Sequence, residues 1–219
     1  MSINQVLYIL LFAAALASFG YSCYQRLQLI ALGAAENRTD RPAERFSRMF
    51  RVAFAQQRVL KRPFGLNHSL LFWGFLVLLL ANGEFLLEGL FPSVSFALLP
   101  DFLHYPLSFL FDVVSLLTLG CVLFAFCRRM YFAPDYLGNE YTSPRSGEAL
   151  LILGMIATLM VAFFLLHAAQ IALGTDEGLR PISFVLGTGL AALPQSSLES
   201  VALWSWWVHA LVLLVFMNL

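Results

Sequence analysis

Five apolar runs, each long enough to cross a bilayer, divide this chain. The first covers roughly Ile3 to Tyr24 and closes at Arg26; the second opens after Lys61-Arg62-Pro63 and reaches about Leu90, before Phe91-Pro92. The third extends roughly from Leu103 to Phe126 and stops at Arg128-Arg129. The fourth begins near Glu148 and ends at Gly174, and the fifth begins near Ser200 and is still apolar at Leu219. A hydrocarbon core about 30 Å thick needs about 20 apolar residues in helical form. Inside it, every backbone polar group must be satisfied within its own segment. The pattern therefore predicts an all-α protein, a polytopic five-helix membrane bundle forming a single domain over 1–219.

Composition agrees: 60% of the 219 residues are apolar and only 12% are charged, too few to coat a soluble domain of this length. The first run lacks a basic leading segment and a clear cleavage site, so it reads as a span and not a removable leader. Net charge is zero, but its distribution is informative. Nine basic residues (Arg26, Arg38, Arg41, Arg45, Arg48, Arg51, Arg58, Lys61, Arg62) lie between the first two spans, and Arg128, Arg129 and Arg145 lie between the third and fourth. Arg180 alone falls elsewhere. The positive-inside rule then puts both basic loops in the cytoplasm and the N-terminus outside. The expected location is the cell inner (cytoplasmic) membrane. The fifth span descends toward the cytoplasm without a basic flank, which predicts that the polypeptide continues there.

From Arg41 to Leu60, Phe46, Met49/Phe50 and Ala53/Phe54 recur at helical spacing with arginines on other faces. This predicts an amphipathic cytoplasmic helix at the membrane surface, between the first two spans. Gly74, Gly83, Gly120 and Gly154 read as points of close helix approach. Cys23, Cys121 and Cys127 have no metal-site spacing and read as packing residues. No phosphate loop, nucleophile triad or thiolate site occurs, and no nucleic-acid partner is expected.

The candidate chemistry lies in the histidines. His68, His167 and His209 fall within three different spans, and His104 sits at the mouth of the third. Ionisable groups inside a bilayer are expensive and mark function; imidazoles on facing helices are axial ligands for haem b. With a rise of about 1.5 Å per residue, His167 and His209 lie roughly 10 and 13 Å from the outer side, nearly level. His68 lies roughly 9 Å from the cytoplasmic side with no level partner. The expected iron ligands are thus His68, His167 and His209, with His104 as an alternative. Asp112 and Glu84 are candidates for proton transfer, next to a quinone if the family resemblance given below holds; Arg58, Lys61 and Arg62 are candidates for holding haem propionates.

The stretch from Arg58 through Lys61-Arg62-Pro63-Phe64-Gly65-Leu66-Asn67-His68 to Phe75, together with Trp206-Trp207-Val208-His209, resembles the membrane domain of nitrate-reductase-gamma-like cytochromes b. It is closest to the branch fused to cysteine-rich iron–sulfur proteins, the heterodisulfide-reductase-like and electron-transfer-flavoprotein:menaquinone oxidoreductases. The resemblance implies one or two haems b carrying electrons between cytoplasmic [4Fe-4S] clusters and menaquinone or ubiquinone, with electron-transfer flavoprotein as a possible donor. His68 and His209 match one family ligand each. The second helix-2 ligand falls near Leu78, which cannot bind iron, so His167 or His104 would have to replace it; the second helix-5 ligand would lie beyond Leu219. A cofactor-free anchor for a soluble oxidoreductase and a proton-coupled transporter are the competing readings; no inverted repeat supports the latter.

Overall fold

The computed structural model describes residues 3–34, 36, 39–62, 64–132 and 146–219. Arg38, Pro63 and Arg145, which enter the charge and span assignments above, lie outside the described residues. The elements in chain order are α1 (Ile3–Ala31), α2 (Pro42–Met49) continuing into a π-helical turn (Phe50–Phe54), α3 (Gly65–Leu90), a 3-10 turn (Phe96–Leu98), α4 (Asp101–Tyr131), α5 (Gly147–Ala172), α6 (Pro181–Leu190) and α7 (Gln195–Phe216). Among the described residues there is no strand. Five helices, α1, α3, α4, α5 and α7, are long and apolar enough to cross a membrane.

The centre of the bundle is made by α3, α4, α5 and α7. Leu78, Leu159 and Met160 are buried together and packed by Val114, Leu119, Val212 and Leu213. Phe111, Phe163 and Phe164 form a second buried group nearer one end. Most remaining apolar side chains face outward, as lipid permits, since it is as apolar as they are.

α1 is peripheral, and Tyr8 is its one buried residue. The Tyr8 hydroxyl donates to the Leu86 carbonyl at 3.0 Å, and its ring lies 5.1 Å from that of Trp206. The same ring rests on Gly89, where an added Cβ would collide with it. Glycine also permits close approach at Gly74, where a Cβ would come within 2.6 Å of Thr118 Oγ1. Gly83, Gly120 and Gly154 have nothing within 4 Å of that position, so for these three the expected close approach is corrected. They face away from their neighbours.

Two segments depart from expectation. The helix anticipated over Arg41 to Leu60 stops at Phe54, because Gln56 takes a left-handed conformation (φ 48°) that a helix cannot accommodate. Its end leans on α3, with the Phe54 ring 6.5 Å from Phe72. The second departure is α6, a ten-residue helix opened by Pro181 between α5 and α7. Proline suits the first turn, where its missing N–H leaves nothing unpaired.

Candidate functional site

Asp112 is fully buried in the middle of an apolar helix, which demands compensation for its charge. The compensation is the start of α6. Asp112 Oδ2 accepts from Ile182 N at 2.7 Å, and Oδ1 accepts from the Ser183 hydroxyl at 2.6 Å and from Ser183 N at 3.3 Å. One turn earlier, Ser108 Oγ accepts from Leu179 N at 3.0 Å. α4 thus pins the whole connection from α5 to α6 through two side chains, and that connection roofs a cavity.

The cavity holds about 280 Å³ at the end of the bundle where α3 and α5 finish and α4 starts. His104, His167 and His209 all border it, with Glu84, Glu88, Asp176 and Arg180. Each histidine is anchored differently. His104 Nδ1 lies 3.0 Å from the Phe96 carbonyl. His167 Nδ1 lies 2.7 Å from Asp176 Oδ2, and Arg180 Nε donates to the same oxygen at 2.9 Å. His209 Nε2 lies 3.1 Å from Asn82 Oδ1, and its ring packs 4.6 Å from that of Phe85. Burial alone would raise the Asp176 carboxyl, but the His167 hydrogen bond, the His167 and Arg180 charges and the Gly178 N–H together bring it down to about 2.

Two nitrogens on residues of this lining are buried with no hydrogen-bond partner, His104 Nε2 and Arg180 Nη1, whereas His209 is engaged by Asn82 and by the Leu159 backbone. The Arg180 guanidinium can only donate. His104 spends its N–H on the Phe96 carbonyl, so its Nε2 is a lone-pair acceptor in the neutral ring.

The expected site residues are not all brought together. His104, His167, His209 and Glu84 border the cavity. Glu84 Oε1 is taken by the Ser95 hydroxyl and by a very short contact to Phe96 N, so it also caps the 3-10 turn. Asp112 is not in the cavity lining, being covered by α6. His68 lies at the opposite end, exposed, three residues into α3 and so roughly 5 Å from its start. Arg58 borders a separate basic cavity, and Lys61 and Arg62 are exposed in the turn before α3. The site residues not anticipated are Asn82, Asp176 and Arg180. Their signals were a lone amide one turn beyond Leu78, and the one basic residue outside the basic loops with a carboxylate four positions before it.

Haem b must be tested against these residues. An imidazole oriented by a carboxylate, as His167 is, suits a metal ligand. The rest does not suit a porphyrin held between His167 and His209. Asn82 engages one nitrogen of His209, and Phe85 and Phe163 cover the two imidazole rings at 4.6 and 4.5 Å. Leu78, in the position of the missing ligand, is buried against Leu159 and Met160. The cavity, at about 280 Å³, falls just below the usual range of about 300–1,000 Å³ for small-molecule pockets. No step is therefore derived through haem.

Comparison with known proteins gives two relatives. The chain is 29% identical over 228 aligned positions, 96% of its length, to the EtfAB:quinone oxidoreductase of Syntrophomonas wolfei subsp. wolfei. It is 28% identical over 218 positions, 98% of its length, to the probable iron-sulfur-binding oxidoreductase FadF of Bacillus subtilis. In both cases the alignment covers 30% of the relative, so this chain spans about a third of their length. No protein-family model matches the chain, and no solved structure matches it.

Proposed function

We propose that this chain is the membrane part of a quinone-linked oxidoreductase, and that its polar cavity receives the quinone head group. The observation that carries the reading is a polar cavity of about 280 Å³ bordered by His104, His167, His209 and Arg180, with buried, unpartnered nitrogens on His104 and Arg180. A quinone offers two carbonyl oxygens as acceptors. On reduction by two electrons those oxygens become basic and take up two protons. Donors fixed in advance around that developing charge favour the reduced, anionic form over the neutral one. Arg180 supplies a permanent positive charge and a donor, and the free Nε2 of His104, whose N–H is spent on the Phe96 carbonyl, is an acceptor for an O–H of the quinol.

Protons then have to reach the ring oxygens. Glu84 and Glu88 border the cavity and, with the His167–Asp176 pair, are the groups placed to exchange protons with it. Asp112 serves as the anchor of α6. Electrons come from, or go to, an iron–sulfur partner on the basic, cytoplasmic side, with electron-transfer flavoprotein beyond it; the names of the two relatives support this half. If haem b is the relay, His68 is its candidate ligand at the basic end, with Arg58, Lys61 and Arg62 near enough in sequence to meet its propionates. The protein would lie in the cytoplasmic membrane with the cavity facing outward.

The test uses the complete polypeptide containing this chain, reduced through its iron–sulfur part, with a short-chain menaquinone as acceptor. Arg180→Leu is expected to raise KM for quinone by roughly 10- to 100-fold, as loss of one charge-assisted hydrogen bond of about 1.5–3 kcal/mol would, and His209→Gln, which removes an imidazole from the lining, to raise it less. The iron–sulfur signals should stay unchanged. A reduced-minus-oxidised spectrum of the same variants reports on haem: b-type bands lost in His209→Gln would overturn the quinone assignment of that residue.

A further inference from the structure

We infer that the α2–π segment carries a binding site for the phosphate of an anionic phospholipid head group. The inference rests on α3 crossing a bilayer and is independent of the redox reading. A cavity of about 530 Å³ lies at the basic end, lined by Arg41, Glu44, Arg45, Arg48, Met49, Val52 and Arg58. Four guanidinium groups thus face one carboxylate. Arg41 is within 3.5 Å of Asp40 and 3.6 Å of Glu44, and Arg45 lies 2.6 Å from Asp40. Arg48 and Arg58 have no ion pair or side-chain hydrogen bond among the described residues. Two uncompensated arginines on one concavity attract a dianionic or bidentate acceptor, and phosphate oxygens match the guanidinium fork.

The position of the segment selects a lipid as the source of that phosphate. The Phe54 ring meets Phe72, seven residues into α3, so the π turn reaches about 10 Å along that span. Phe46, Met49 and Phe50, on the same segment, are 63%, 47% and 51% exposed. Large apolar side chains outward and arginines around a cavity beside them are the two faces of an interfacial helix. Such a helix holds its apolar side in the acyl boundary and its charges at the phosphates.

The experiment reconstitutes the complete polypeptide into nanodiscs of phosphatidylcholine with one part in five phosphatidylglycerol, then measures retained lipid by native mass spectrometry after extraction. Phosphatidylglycerol should be retained in preference to phosphatidylcholine. In Arg48→Gln/Arg58→Gln its apparent affinity should fall roughly 10- to 30-fold, at about a factor of five per arginine near a charged surface. Arg26→Gln/Arg51→Gln, which removes two charges from the same end but none from the cavity, should retain lipid like the parent. Equal retention by both double variants would overturn the site. So would a thermal midpoint raised as much by inorganic phosphate as by phosphatidylglycerol, which would show a free-anion site. Loss of the cytoplasmic partner from Arg48→Gln/Arg58→Gln with lipid retention intact would overturn it also, and assign the arginines to a protein interface.

Discussion

Asp176 shows how one carboxylate can organise a site. It accepts from His167, Arg180 and the Gly178 N–H while only 7% exposed. Its value in the folded protein, about 2, lies below the ordinary 3.8. A depressed carboxyl contributes stability that is fully present above its ordinary value and is lost as pH falls through the folded one. The contribution is about 2 kcal/mol. Asp176→Asn should therefore melt earlier than the parent near neutral pH, with the gap closing as pH approaches 2. Thermal midpoints in detergent across that range check it, and a gap independent of pH would refute the linkage. At this scale the sequence revealed which residue types were costly in lipid, hence His68, His167 and His209, with His104 only as an alternative. It did not reveal their partners, because Asp176 and Arg180 sit in a loop whose path depends on α6. His68 shows the opposite limit: its place in the span was legible, but not that its ring faces outward.

The elements divide into those whose periodicity announces them and those that depend on tertiary contacts distant in sequence. The five long helices belong to the first kind, with ends shifted by a few residues; α1 runs on to Ala31 because nothing after Tyr24 breaks a helix. α6 belongs to the second. A ten-residue helix is too short to cross a bilayer, and its first turn is capped by Asp112, 70 positions away. Asp112→Ala should leave Ile182 N, Ser183 N and the Ser183 hydroxyl unpaired, lowering unfolding free energy by roughly 3 kcal/mol. Asp112→Asn keeps an acceptor and should lose about half of that. Titration with SDS in mixed micelles measures both, and equal losses would show that the charge, not the acceptor geometry, holds α6. α1 is held by Leu11, Phe12 and Ala15 packing with Phe85, Leu86, Leu90 and Trp206, with Tyr8 as its one buried residue. Gly89→Ala drives a methyl into the Tyr8 ring and should release α1 to protease, whereas in a Tyr8→Ala background it should change little. Additive effects of the two substitutions would exclude the contact as part of the attachment.

On the scale of the whole molecule, two chemically distinct ends face each other across the apolar middle. One carries the cavity, with Arg180 as its basic residue; the other carries the basic turn before α3, the arginine cavity and Arg128. Basic residues resist translocation across a bilayer, so the second end should face the cytoplasm and the cavity the exterior. The native cysteines provide a built-in probe. Cys127 is exposed beside Arg128, Cys23 is half-buried on the part of α1 that runs toward the same end, and Cys121 is buried. In intact cells a membrane-impermeant maleimide should leave the parent unlabelled. After permeabilisation it should modify Cys127 first, along with a cysteine placed by Gln57→Cys in the turn before α3. Glu199→Cys, exposed at the start of α7, should be labelled without permeabilisation. The reverse pattern would turn the bundle over and place the cavity on the cytoplasmic side. On the function proposed above, quinone protons would then exchange with the cell interior, and the proposed iron–sulfur partner and quinone head group would share one face of the membrane.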